Sequence, residues 1–189
     1  MEQHGDRDGI PIVVPETGAA LHVLARACAA RRVVEVGTAI GVSTLYLARA
    51  LPDDGVVVSF EIDEGRHRAA AGYLERAGVA ARTDLRLQDA AEGLAALERG
   101  SFDVAFLDGV KQDYPTHLEL ALPLLRHGGV LAVDNTLLSG AVAEGRAMGH
   151  WSQEAVERMR AFNQRVLQDA GLAAALLPVG DGLLVAVTL

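Results

Sequence analysis

The chain alternates short β-rich runs with amphipathic stretches, and this alternation restricts it to one class of fold. Five runs have the apolar content of strands that are covered on both faces: RRVVEVG (31–37), VVVSFEID (56–63), LRLQD (85–89), FDVAFLDG (102–109) and GVLAVDN (129–135). A segment able to form a helix follows each of them. The pattern therefore predicts an α/β fold built on a mostly parallel sheet, with helices on both faces.

The last third of the chain predicts a long helix and a final hairpin. Apolar residues recur every three or four positions between Ser152 and Ala170, with Ser152 as the N-cap. Two apolar runs then flank the turn residues 179–182, so the last strand should run antiparallel. An earlier helix is predicted to end at His127, with Gly128 as its stop.

Length and composition fit one domain, residues 1–189, in which residues 1–14 form an N-terminal segment. No apolar run approaches the roughly 20 residues that a membrane span needs, and the start is too polar for a signal peptide. We therefore expect a cytoplasmic protein with no membrane contact. The formal charge of -8 makes a nucleic-acid partner unlikely, because phosphate binding needs clustered basic residues.

A glycine turn follows the first predicted strand, at the sheet edge where parallel folds bind ligands. Glu35, Gly37 and Gly41 form an E-x-G-x-x-x-G pattern. Ala39 stands where a dinucleotide fingerprint requires glycine, which argues against NAD and FAD. Next to a helix that starts near Ser43, the turn still lets an anion such as a carboxylate approach free backbone N–H groups.

Acidic residues end the second and third predicted strands. Glu61 is placed to accept hydrogen bonds from two ribose hydroxyls, and Asp89 with Ala90 is placed to meet an adenine. The alternative is that the glycines only permit a tight turn and that the acids cap helices. Suitable chemistry at three consecutive strand ends favours a nucleoside ligand.

Two carboxylates and an amide end the fourth and fifth predicted strands. Asp108, Asp134 and Asn135 should meet at one sheet edge, and their oxygens suit Mg²⁺, Mn²⁺ or Ca²⁺. Zinc is disfavoured because the set contains no His or Cys. The alternative for the Asp-Asn pair is a helix cap.

These motifs resemble a known family. VVEVGTAIGVSTLYLARAL followed by VVSFEID resembles the nucleoside-binding half of class I S-adenosylmethionine-dependent methyltransferases. FDVAFLDGVKQDYPTHLELALPLLRHGGVLAVDNTLLSG, with LLPVGDGLLV, is similar to metal-dependent O-methyltransferases of the catechol and caffeoyl-coenzyme A type. The resemblance covers residues 10–189 and implies a Rossmann-like, seven-stranded sheet with an antiparallel last strand.

The resemblance also implies a cofactor, a metal and a reaction. S-adenosylmethionine would be bound by Glu35, Gly37, Thr38, Gly41, Ser43, Glu61, Ile62, Asp89, Ala90 and Asp108. Mg²⁺, or Mn²⁺ or Ca²⁺ in its place, would be held by Asp108, Asp134 and Asn135. Lys111 would be the general base, with Asp108 as the other catalytic residue. The methyl acceptor would be a phenolic, catechol-like small molecule, and the enzyme would be a homodimer.

Two segments outside these motifs are candidates to cover the site. In the segment IPIVVPETG (10–18), Val14, Glu16 and Thr17 are candidates for a lid over the methionine end of the cofactor, while His150 and Trp151 are candidates to line the acceptor site. We expect His117 to be structural.

Two other functions compete with this interpretation. Relatives with these motifs also methylate a hydroxylated uridine of tRNA, but the acidic balance argues against that substrate. A non-catalytic S-adenosylmethionine-binding module would be expected to lack the metal ligands, and they are present here.

Overall fold

A computed structural model describes all 189 residues and contains one seven-stranded sheet. The strands, in chain order, are β1 (Arg32–Val36), β2 (Val56–Glu61), β3 (Thr83–Leu87), β4 (Phe102–Leu107), β5 (Leu125–Val133), β6 (Leu172–Leu177) and β7 (Leu183–Thr188). Their order across the sheet is β3-β2-β1-β4-β5-β7-β6, and β7 alone runs in the direction opposite to the other six strands. This confirms the predicted Rossmann-like fold and the reversed last strand.

Helices cover both faces of the sheet. They are α1 (Glu2–Asp8), α2 (Pro15–Ala27), α3 (Val42–Ala50), α4 (Glu64–Arg76), α5 (Ala90–Ala95), α6 (Tyr114–Ala121), α7 (Ala141–Glu144) and α8 (Gln153–Leu167). Alternate strand residues enter two separate hydrophobic clusters. One cluster packs against α5, α6 and α8, and the other packs against α2, α3 and α4. None of these helices has both the length and the apolar content that crossing a bilayer requires.

The predicted long helix forms, and its cap is as expected. The Ser152 hydroxyl accepts a hydrogen bond from the Ala155 amide at 3.2 Å, and α8 begins at Gln153. The helix ends at Leu167 rather than at Ala170, because Asp169 and Gly171 form a turn into β6.

The predicted helix end at His127 is wrong. The helix stops at Ala121, where a 3-10 turn over Leu122–Leu124 contains Pro123, which has no N–H to continue the helix. His127 and Gly128 instead lie inside β5. There the pairing with β4 shifts register, and Gly128 takes the positive φ of 73° that this irregularity requires.

The register of the sheet aligns the ends of its central strands. Val36 of β1 pairs with Leu107 of β4, which pairs with Val133 of β5. The next amides continue this alignment, since the Asp108 N–H donates to the Val36 carbonyl at 2.9 Å and the Asp134 N–H donates to the Leu107 carbonyl at 3.1 Å. Gly37, Asp108 and Asp134 therefore emerge side by side at one edge.

Candidate functional site

A cavity of about 700 Å³ opens at this edge of the sheet. Its wall is formed by the loops that follow β1 to β5, by part of the N-terminal segment, by α8 and by the β6–β7 turn. The volume lies within the range of small-molecule and cofactor sites. The position matches the rule that open α/β sheets bind ligands beyond the carboxyl ends of their strands.

The glycine turn after β1 lines the cavity through Gly37 and Ala39. Gly37 has a φ of 93°, and a Cβ added there would lie 2.2 Å from the Asp108 carbonyl oxygen. Only glycine fits this close approach of two backbone segments without strain. The Gly37 and Thr38 amides donate to the Phe60 carbonyl at 3.2 Å and 3.1 Å, and the Ala39 amide donates to Glu61 at 2.8 Å. Binding of an anion by free N–H groups of this turn therefore stays a prediction.

Glu61 lies in the cavity wall beside this turn. One of its carboxylate oxygens accepts from the Ala39 amide at 2.8 Å, and the other accepts from the Ile62 and Asp63 amides at 2.9 Å. The side chain is thus fixed in one position by the backbone. Ile62 is 72% exposed and forms an apolar part of the same wall.

Asp89 is both a helix cap and a cavity residue. Its Oδ1 accepts from the Ala91 and Glu92 amides at 2.9 Å and 3.1 Å, which caps α5. Asp89 and Ala90 also line the cavity next to Gln88. The helix-cap alternative is therefore true of Asp89, and it leaves the second carboxylate oxygen without an intramolecular partner.

Four of the predicted cofactor-binding residues, Glu35, Thr38, Gly41 and Ser43, lie behind the turn and outside the cavity wall. Glu35 is fully buried and accepts hydrogen bonds from the Thr44 and Ser59 hydroxyls. Burial raises the pKa of Glu35, and hydrogen bonds from nearby hydroxyls partly offset this rise. These residues support the turn from beneath, and direct contact of their side chains with a cofactor stays a prediction.

Lys111 links the residues of the predicted metal and catalytic set. Its ammonium donates to Asp108 Oδ1 at 3.0 Å, to Asn135 Oδ1 at 2.6 Å and to the Tyr114 hydroxyl at 2.7 Å. The Tyr114 hydroxyl donates in turn to the Asp134 carbonyl at 3.0 Å. The structure thus brings four sequence-predicted residues, Asp108, Lys111, Asp134 and Asn135, into one cluster on the cavity wall.

Asp134 is a buried acid without a direct cationic partner. Its side chain accepts from the Asn135 amide at 2.8 Å. Burial raises its pKa to about 6, and the nearby Asp108 carboxylate adds to this rise. Residues 136–140 form turns and the next helix begins only at Ala141, so the helix-cap alternative does not apply to this Asp-Asn pair.

The donor set fits a hard divalent cation. Carboxylate oxygen of Asp108 and amide oxygen of Asn135 converge on one positive charge, the Lys111 ammonium, and the Asp134 carboxylate lies beside them. No three His, Cys, Asp or Glu side chains are grouped closely enough to hold a metal ion by themselves. A site of two carboxylates and one amide would leave coordination positions for water or an acceptor.

Three residues in or directly behind the cavity wall were not predicted to be functional. Tyr114 lies behind the wall and is completely buried, and burial together with Asp108 and Asp134 raises its pKa well above the usual value. His117, expected to be structural, is in the wall with an unpaired Nδ1, and burial lowers its pKa. Asp181 of the β6–β7 turn also lines the cavity, where its Oδ1 accepts from the Ser139 amide at 2.6 Å.

The loop before α8 reaches the cavity. His150 and Trp151 lie in its wall with their ring centroids 4.3 Å apart, and their contact with an acceptor stays a prediction.

The N-terminal segment contributes to the wall through Pro11 and Ile12. Val14, Glu16 and Thr17, the predicted lid contacts, are not part of the wall. Thr17 is buried against Gly180, and its hydroxyl oxygen has no hydrogen-bond partner.

Comparison with known proteins identifies the family. A family model described as O-methyltransferase matches residues 8–189. The chain is 40% identical over 164 residues to catechol O-methyltransferase domain-containing protein 1 of Mus musculus, an alignment covering 85% of this chain and 61% of that protein. It is 37% identical over 176 residues to tricin synthase 2 of Oryza sativa subsp. japonica, covering 89% of this chain and 60% of the relative. The chain therefore spans about three fifths of the length of these two relatives.

Solved structures show the same architecture. The O-methyltransferase TomG from Streptomyces achromogenes, in complex with S-adenosylmethionine, superposes with a TM-score of 0.84 at 33% identity and covers 98% of this chain and 86% of its own. The O-methyltransferase from Bacillus cereus, in complex with S-adenosylhomocysteine, gives a TM-score of 0.85 at 30% identity, with 99% and 88% covered. With its sequence matched by the family model almost from end to end, this chain belongs to the O-methyltransferase family.

Proposed function

We propose that this protein transfers the methyl group of S-adenosylmethionine to a hydroxyl of a small catechol-like acceptor. The reaction would depend on a bound divalent cation, for which Mg²⁺ is the first candidate. One observation carries the proposal: Lys111 Nζ lies within hydrogen-bond distance of both Asp108 Oδ1 and Asn135 Oδ1, beside the glycine turn. Solved relatives bind S-adenosylmethionine and S-adenosylhomocysteine, which supports the cofactor.

The cofactor would lie along the ends of β1, β2 and β3. The turn at Gly37 and Ala39 would lie against its charged methionine end, while Glu61 would accept from the ribose hydroxyls with its remaining lone pairs. Asp89 and Ala90 would meet the adenine, and exposed Ile62 would pack on it. Glu35, Thr38, Gly41 and Ser43 would act by keeping this turn in shape.

The acceptor would lie between the cofactor and α8. Asp108, Asp134 and Asn135 would hold the cation, which when bound lowers the cost of forming a phenolate and fixes two vicinal oxygens. Lys111 would be the general base that takes the hydroxyl proton at Nζ. A lone pair of the acceptor oxygen would form the new bond to the methyl carbon while the carbon–sulfur bond breaks, and the electron pair of the broken bond would stay on sulfur.

The surrounding residues orient this reaction and limit water. Tyr114 holds Lys111 through its hydroxyl and is itself tied to the Asp134 backbone, so the proton acceptor has a fixed direction. Trp151 and Phe162 give the cavity an apolar side on which an aromatic ring can pack. Homodimer formation and a cytoplasmic location stay predictions.

The test is methylation of a catechol by the purified protein with S-adenosylmethionine and Mg²⁺. We expect a product heavier by one methylene group, and loss of at least 90% of the rate (about tenfold or more) when a chelator is added or when Asp134→Ala removes one ligand. Asp84→Ala, which removes an exposed carboxylate on β3, is the matched control and should leave the rate unchanged. Full activity in chelator, or in Asp134→Ala, contradicts the proposal.

A further inference from the structure

Helix α8 turns one face to the cavity, and that face carries a single charged side chain. Ala155, Arg158, Met159 and Phe162 line the wall at the spacing i, i+3, i+4 and i+7 of one helix face. We propose that Arg158 binds a carboxylate carried by the methyl acceptor, so that the preferred substrates are catechol-like aromatic acids. The inference rests on the proposed function for the identity of the ring.

The position of Arg158 places it at a suitable distance from the reacting oxygens. The Phe162 ring lies 5.5 Å from the Tyr114 ring, centroid to centroid, and the Tyr114 hydroxyl contacts Lys111 Nζ at 2.7 Å. Arg158 precedes Phe162 by four residues, which corresponds to about 6 Å along the helix axis. An acceptor whose oxygens meet Lys111 can therefore lay its ring along Phe162 and extend a substituent to Arg158.

The present partner of Arg158 is easily exchanged. Its guanidinium contacts Glu154 Oε1 at 3.1 Å, and the Glu154 side chain is 81% exposed and lies outside the cavity wall. Such solvent-exposed ion pairs contribute little to stability. A carboxylate entering the cavity would gain a charge-assisted and potentially bidentate contact from the guanidinium, which is a stronger arrangement.

The other binding groups of the cavity leave this place to an anionic substituent. At the end lined by Asp108, Asp134 and Asp181, the bound cation would be occupied by the two hydroxyl oxygens of the acceptor, so a carboxylate on its ring would extend to the outer end. The other arginine of the wall, Arg66, belongs to α4 and lies with Ile62 and Gln88 at the predicted cofactor end. Arg158 is thus the cation that remains available to the outer end of an acceptor.

The test compares caffeate, a catechol that carries a carboxylate, with its uncharged methyl ester. In Arg158→Met we expect the KM for caffeate to rise about tenfold, with kcat and the KM for the ester changed less than about twofold. Arg165→Met is the matched control, because Arg165 lies on the same helix, pairs with Asp169 and Glu119, and is outside the wall. Equal changes for acid and ester, or none for the acid, overturn the inference.

Two further variants check that the effect is one of charge. Arg158→Lys should retain part of the preference for the acid, and Glu154→Gln, which frees the guanidinium, should lower the KM for caffeate. If Arg158→Met instead raises the KM only for the coenzyme A thioester of caffeate, whose charges are phosphates, the carboxylate assignment is overturned.

A binding measurement separates this inference from the proposed reaction. Calorimetric titration of caffeate into protein loaded with S-adenosylhomocysteine and Mg²⁺ should give a dissociation constant about tenfold weaker in Arg158→Met. Binding that depends on Arg158 without any methylated product would sink the proposed function and support the inference. Methylation together with caffeate binding that is indifferent to Arg158 would do the reverse.

Discussion

Replacing Gly37 by alanine tests whether the turn after β1 is built on a backbone contact that only glycine permits. The new Cβ would lie 2.2 Å from the Asp108 carbonyl oxygen, so the ends of β1 and β4 would have to separate by about 1 Å to restore a normal contact. The backbone adds its own cost because φ is 93°. We estimate about 1 kcal/mol from the left-handed backbone and about 2 kcal/mol from the forced separation, or about 3 kcal/mol in all.

Gly78→Ala is a matched control for the backbone term. Gly78 also has a positive φ, 71°, but an added Cβ there has no heavy atom within 4 Å. It should therefore cost only the strain of the left-handed backbone, about 1 kcal/mol. Urea unfolding of the two variants should differ by about 2 kcal/mol in the free energy of unfolding.

The same substitution should weaken cofactor binding. Calorimetry with S-adenosylhomocysteine should show a loss of at least about tenfold for Gly37→Ala and none for Gly78→Ala, because only the first moves the turn on the cavity wall. If Gly37→Ala is as stable as Gly78→Ala and binds as tightly as the original chain, the argument about this turn is refuted.

Three further substitutions test the interior of the site. Burial raises the pKa of Glu35, so the stability that its bound proton provides is present below the pKa of the unfolded chain and is lost as pH rises through the pKa of the folded protein. Glu35→Gln should flatten this part of a plot of the free energy of unfolding against pH. An unchanged slope would contradict the assignment. Tyr114→Phe removes the hydroxyl that orients Lys111 and should lower kcat several-fold, with about 1 kcal/mol lost from the free energy of unfolding; an unchanged kcat would show that Lys111 needs no such support. Asn163→Ala deletes the buried donor to the Thr136 carbonyl and should lower the free energy of unfolding, measured in urea, by about 2 kcal/mol. A change near zero would mean that this hydrogen bond does not hold the loop after Asn135 in place.

The fold and the edge of the sheet could be predicted because they depend on local patterns. Apolar runs of strand type end at Val36, Leu107 and Val133, and parallel pairing then brings the following residues to one edge. The connection of five residues between β6 and β7 likewise required an antiparallel strand. These conclusions needed only the period of the sequence and the geometry of strands.

The remaining parts of the site depend on packing between distant segments. The sequence around Tyr114 predicts only the start of a helix. No neighbouring residue indicates that the Tyr114 hydroxyl contacts Lys111 and the Asp134 carbonyl. The cavity-facing side of α8 looks like any buried helix face, and only its contact with the Tyr114 ring reveals that Phe162 belongs to a site. The one sign in the sequence is Arg158, a charged residue one turn before Phe162 on an otherwise apolar helix face.

The surroundings of Glu35 and His127 depend on contacts that their local sequence does not show. Glu35 precedes the glycine turn, yet its side chain points into a buried network with Ser59 and Thr44 rather than to the cavity wall. His127 before Gly128 has the composition of a helix end, but Pro123 stops the helix earlier and a strand follows. Both outcomes depend on neighbours, either across the sheet or a few residues upstream.

The most direct test of the account is the position of a bound cation. A crystal of the protein with S-adenosylhomocysteine and Mn²⁺ should show an anomalous peak at about 2.2 Å from oxygens of Asp108, Asp134 and Asn135. Lys111 Nζ, which now contacts Asn135 Oδ1 at 2.6 Å, should have moved away from that oxygen. A map with no peak there, and with the Lys111 contact intact, would contradict a cation-assisted methyl transfer at this site.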